Sequence, residues 1–215
     1  MRTAALVLAL VLATAPANAP PGAPLTREQA LENIVNGDAE ARRVAAAALG
    51  DLGTMADAPA LLKALRDQDE DVRAGAESSL WQVWSRSGDP EIDVLFQLGV
   101  EQLSRGDANA AIATFTTIIQ KKPDFAEGWN KRATIYFLVG EYDKSLKDCD
   151  EVVKRNPQHW GVLAGYGQIY LALGKPESAL DYFQRALTVN PNLTRVRAAV
   201  EELKRAIIEK RKGTI

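Results

Sequence analysis

The 215-residue chain contains one cysteine and one histidine. A single cysteine excludes an intrachain disulfide, so packing alone must hold the fold. There is no histidine pair, no Cys–His pair, no serine elbow and no metal-ligand spacing, and therefore no candidate catalytic, metal or cofactor residue. Aromatic residues make up only 7% of the chain while alanine is abundant, which favours closely packed helices. Positive charge is also scarce where a polyanion would need it. Residues 18–90 carry seven basic and twelve acidic side chains and residues 91–193 carry eleven and thirteen; only 194–215, with seven and three, is basic. Nucleic-acid binding rests on neutralising phosphates, so that partner class is set aside.

Long apolar runs are missing as well, with one exception near the start. Arg2, the apolar stretch Ala4 to Ala13 and the small-residue site Ala15-Pro16-Ala17 are the three parts of a secretory signal. The stretch is too short for the roughly 20 residues of a membrane-spanning helix. Cleavage after Ala17 is expected, because the alternative site Ala17-Asn18-Ala19 would leave Pro20 just beyond the cut. Residues 1–17 then form the signal peptide and residues 18–25 a flexible Pro/Ala segment. The mature protein is exported, to the periplasm or the medium if the source is bacterial, without stable membrane insertion. An uncleaved signal acting as a membrane tether is the alternative.

The remaining chain is periodic. Gly106, Gly140 and Gly174 recur every 34 residues, and so do Pro123, Pro157 and Pro191. Apolar residues at helical spacing lie between each glycine and proline (Ala111, Phe115, Ile118; Ser145, Cys149, Val152; Ala179, Phe183, Ala186) and upstream of each glycine. Each unit reads as helix, glycine turn, helix, proline turn: glycine supplies a left-handed helix stop and proline bars continuation. Cys149 aligns with Phe115 and Phe183, so burial is expected. The run GVLAGYGQIYLALG (161–174) mimics a phosphate loop, but no strand precedes it; Gly161, Gly165 and Gly167 are expected to be packing glycines. His159 falls in the turn entering the third unit and is expected to be exposed.

These units resemble the tetratricopeptide repeat family. The third matches most closely through Leu163, Tyr166-Gly167, Tyr170, Ala179, Phe183 and Pro191. The first departs at Gln102 and the second at Arg132, with Ser145 and Cys149 as small substitutes. The resemblance implies three repeats within 89–193 (92–125, 126–159 and 160–193) whose first helices line a groove. By repeat position that face includes Phe96, Val100, Asn130, Thr134 and Gln168, a mixture of apolar and amide groups suited to a peptide backbone. Some members of the family clamp a C-terminal carboxylate; the matching positions here are Phe96, Val100, Lys131, Gly161 and Gly165, of which only one is basic. After Pro191, the stripe Leu193, Val196, Val200, Leu203, Ile207 backed by Arg195, Arg197, Lys204, Arg205, Lys210 and Arg211 fits a capping helix over 194–211, followed by a tail.

Residues 26–88 show a second period, of 31: Leu31 maps to Leu62, Arg42 to Arg73, Ala45 to Ala76 and Leu49 to Leu80. Thr26-Arg27-Glu28-Gln29 reads as a capping box. The segment resembles short HEAT repeats of phycobilin-lyase-like proteins, a resemblance that implies pairing of Asp38 or Asp69 with Arg42 and Arg73. The alternating carboxylates Asp67 to Asp71 lack the glycine and closing glutamate of a calcium loop, which fall on Val72 and Ser78. The expected fold is all-α, a right-handed superhelical solenoid in which the HEAT-like pair stacks on the first tetratricopeptide unit and buries Trp81 or Trp84. The expected function is that of a non-enzymatic exported scaffold binding a protein or peptide, without cofactor. Alternatives are an accessory subunit of an enzyme or lyase-like assembly, and a membrane-tethered adaptor.

Overall fold

A computed structural model describes residues 24–212. The signal-peptide expectation therefore lies outside the described residues. Those residues form eleven α-helices and no strand: α1 (Arg27–Asn36), α2 (Ala39–Leu52), α3 (Ala58–Ala64), α4 (Glu70–Trp84), α5 (Pro90–Ser104), α6 (Ala108–Lys121), α7 (Ala126–Leu138), α8 (Tyr142–Arg155), α9 (Trp160–Ala172), α10 (Pro176–Val189) and α11 (Thr194–Lys212), with a short 3₁₀ turn at Met55–Asp57. No described helix is long and apolar enough to cross a membrane.

Helices α5 to α10 are three hairpins at the 34-residue period. Each first helix stops where Gly106, Gly140 or Gly174 adopts φ of +81°, +79° or +67°, a conformation that costs other residues more. First helices α5, α7 and α9 approach one another more closely than the second helices do, so the stack curves with its first helices on the inner side. Phe115, Ile118, Val152, Phe183 and Ala186 of the second helices are buried. Val196, Val200 and Leu203 of α11 cover the last apolar face, against Ala179 and Phe183. The all-helical, solenoid expectation holds.

Helices α1 to α4 form two further hairpins. Thr26 and Gln29 close the capping box of α1. Small residues Ala45, Ala46 and Ala76 are fully buried where α2 crosses α4, and Ser79 Oγ donates to the Ala46 carbonyl at 2.6 Å. The expected aspartate–arginine pairing takes other partners. Arg42 grips both oxygens of Asp67 at 2.8 and 2.9 Å, and Arg43 those of Asp69 at 3.0 and 2.5 Å. Asp38 instead caps α2, and Arg73 donates to the carbonyls of Asp67 and Gln68. Position in the turn decides this, because Asp67 precedes the cap residue and faces α2.

The two N-terminal hairpins do not stack on the first 34-residue unit. They fold back onto the third. Leu61, Leu65, Leu80 and Trp84 share one core with Trp160, Leu163 and Ala186. Arg66 donates to the carbonyls of Thr188 and Val189, and Asn192 Nδ2 donates to the Leu65 carbonyl at 2.8 Å. The reversal starts at Ser85–Asp89, where Gly88 has φ +74° and the Ser87 N–H donates to Asp93. It leaves the outer side of α5 uncovered, with Val94 and Leu98 exposed.

Candidate functional site

The inner face begins with a substitution inside the repeat pattern. In the first unit Gly99 faces Phe115, and a Cβ on Gly99 would come within 2.7 Å of that ring; in the third, Gly167 faces Phe183 in the same way. The middle unit exchanges both partners, placing Ala133 opposite the short side chains of Ser145 and Cys149. Ser145 Oγ bonds the Ala133 carbonyl at 2.7 Å. One methyl replaces less volume than a phenyl ring gives up, and a cleft of about 130 Å³ remains between α7, α8 and α9. Its walls include Asn130, Thr134, Phe137, Gly165 and Gln168. Burial pushes the Cys149 thiol up to about 12, so the cleft meets a neutral thiol and not a thiolate.

Three of the five residues expected on the groove thus meet at this cleft: Asn130, Thr134 and Gln168. Val100 lies one unit away on α5, half-buried. Phe96 is different. It is only 3% exposed and packs edge-on against Phe115 and Phe125, so it belongs to the core of the first unit. The three glycines of 161–174 also divide. Gly167 is a packing glycine as expected; Gly165 has open space at its Cβ position and lines the cleft. A Cβ on Gly161 would lie 2.5 Å from Trp81, so Gly161 serves the docking of the N-terminal hairpins.

Asn130 links the cleft to a buried polar pair whose importance the repeat pattern does not reveal. His159, expected to be exposed, is 0% exposed, as is Glu127. Its Nδ1 accepts the Val162 N–H at 3.0 Å and caps α9, so Nε2 carries the proton and donates to Glu127 at 2.5 Å. Asn130 Nδ2 also donates to Glu127, at 3.0 Å, and Lys131 lies 3.9 Å away. Burial alone would raise the Glu127 pKa; His159, Lys131 and Asn130 outweigh it and hold the carboxyl below its ordinary range. Trp84 stacks on the imidazole at 4.7 Å, and Trp81 meets it edge-on at 5.3 Å. His159 thus joins the second unit, the third unit and the N-terminal hairpins. A lone histidine in a turn gives no sequence signal of this, because both partners are distant in the chain. The departure at Arg132 is likewise compensated: its guanidinium takes both oxygens of buried Asp148 at 2.7 and 2.8 Å. Among the described residues no cluster of three histidine, cysteine or acidic side chains could hold a metal.

Residues 124–192 match the family model of the tetratricopeptide repeat. These residues are similar to tetratricopeptide repeats. A TPR repeat-containing protein of Rhizobium etli is 32% identical over 126 residues, 59% of this chain and 62% of its own length. The chain spans less than two thirds of the length of the curated relatives it matches. Among solved structures, the Sgt2 TPR domain from Aspergillus fumigatus is similar with a TM-score of 0.55 at 20% identity, over 59% of this chain and 85% of that one. The first TPR of Spaghetti (RPAP3), bound to an HSP90 peptide, gives 0.52 at 23%, over 54% and 93%. These likenesses show the fold.

Proposed function

We propose that this protein is a non-enzymatic adaptor that holds an extended segment of another protein along the inner face of its tetratricopeptide array. The observation that carries this is the cleft of about 130 Å³ flanked by Asn130, Thr134 and Gln168, which offers an apolar recess beside groups able to bond a peptide backbone. The Spaghetti TPR with its HSP90 peptide gives a precedent for segment binding by this fold. The carboxylate-clamping positions are not reproduced in kind: Lys131 is the single basic one, and it faces buried Glu127. The secretory signal read in residues 1–17 supports action outside the cytoplasm, and the HEAT-like hairpins are assigned a bracing role.

The test is capture of a partner by crosslinking in the native envelope, followed by titration with Gln168→Ala and Thr134→Val. Each should weaken binding by about 0.5–1.5 kcal/mol without changing helicity, the net value of one hydrogen bond. Unaltered affinity in both variants would remove the inner face as the site. Asn130 is a poor probe, because its amide supports Glu127.

A further inference from the structure

A second recess lies where the N-terminal hairpins meet the turns between repeats. Its volume is about 140 Å³, and Trp84, Phe125 and Met55 supply apolar wall. Trp84 is buried, yet its indole N–H has no hydrogen-bond acceptor among the described residues. Buried donors are nearly always satisfied, so an orphan beside a cavity points to an acceptor that arrives from outside.

The charges around the recess fit that acceptor. Arg86, Lys122 and Arg155 line it against one acid, Asp124. Both arginines are partly engaged: Arg86 donates to the carbonyls of Asp51 and Gly53, and Arg155 to Pro123 and Glu151. The Lys122 ammonium has no hydrogen bond or ion pair to any described residue, although the side chain is half-buried. An ammonium in that position, an unsatisfied indole donor and apolar walls together match a single negative charge on a carbon skeleton. A phosphate fits less well, because its second charge would face Asp124 in the same lining.

We propose that this junction binds a carboxylate carried by a protein segment, either an acidic side chain or a chain terminus, with Lys122 supplying charge and the Trp84 N–H the directed bond. The site depends on the fold-back: it is built jointly by α4, the α6–α7 turn and the end of α8, and it is separate from the inner-face cleft.

The experiment uses the full chain labelled with ¹⁵N. Each tryptophan gives one indole N–H resonance, and Trp84→Phe assigns the relevant one. Four probes are titrated: an N-acetylated tetrapeptide with a free C-terminal carboxylate, its C-terminal amide, an amidated version with an internal glutamate, and inorganic phosphate. The first, the third or both should move the Trp84 indole resonance downfield in a saturable way, and which of them does so identifies the carboxylate's source. The uncharged amide should not. Lys122→Met should weaken the effective probe about tenfold, the loss of one charge-assisted bond. Asp124→Asn should tighten it. An unmoved Trp84 resonance, an equal effect of the uncharged amide or of inorganic phosphate, or an unchanged titration in Lys122→Met would each overturn the proposal.

Discussion

At Cys149 the thiol is buried and its pKa is pushed up to about 12. Native protein at about pH 8 should therefore label slowly with a thiol reagent, and denaturant should release full reactivity. A fast native reaction would show that the cleft admits the reagent to the sulfur. Because the folded pKa is raised, the contribution of the neutral thiol is complete below the unfolded value and fades as pH rises towards 12. Glu127 has the opposite sign. Its carboxyl is held below its ordinary value of 4.5, so its contribution is complete above that pH and is lost as pH falls through the folded pKa. Thermal midpoints from about pH 3 to 7 should fall in acid for the native protein and more weakly for Glu127→Gln. The substitution itself should cost about 1.5–3 kcal/mol at neutral pH, since it weakens hydrogen bonds to a buried charge.

Between elements, the paired exchange of Gly–Phe for Ala–Cys in the middle repeat makes a quantitative expectation. Cys149→Phe alone should destabilise by about 1–3 kcal/mol, because the new ring meets the Ala133 methyl. Adding Ala133→Gly should recover most of that loss, as in the first and third repeats, with a coupling of about 0.5–3 kcal/mol in a double-mutant cycle. The double variant also fills the cleft, so it should fold well and bind a captured segment poorly. The helix–turn–helix order of the repeats was legible in the sequence because glycine turns, proline turns and caps such as that of Thr26 act within four residues. The cleft was legible only in part. Asn130, Thr134 and Gln168 follow from the repeat register, whereas Phe96 shares that register but is drawn into the core by Phe115 and Phe125.

Across the whole molecule, the array of three repeats could be read from its 34-residue period, because each unit contacts its neighbours. The fold-back could not. Arg66 meets Val189 across 123 residues, and such a contact leaves no period in the chain. Gly161 gives the handle to test it. Gly161→Val places branched carbon where Trp81 now rests, so the N-terminal hairpins should lift from α9 while every helix persists. Small-angle scattering should report a larger radius of gyration with little change in far-ultraviolet circular dichroism. An unchanged radius would mean that Trp81 yields locally and the interface survives. Sequence reading expected Trp81 or Trp84 to be buried against the first repeat; Trp84 is the buried one, and its neighbours are His159 and Trp160, since tryptophan spacing carries no information about which turn it will reach.

The fold-back also fixes how many repeats this architecture can hold. The N-terminal hairpins are tied covalently to the start of the array at Asp89 and non-covalently to its end at Asn192. A fourth unit inserted between them would carry the last turn beyond the reach of Arg66 and strand Trp160 without its cover. Open tetratricopeptide arrays can gain or lose units one at a time; this one behaves as a closed bracket of set span, and duplication of a single repeat should be rejected where a point substitution is tolerated.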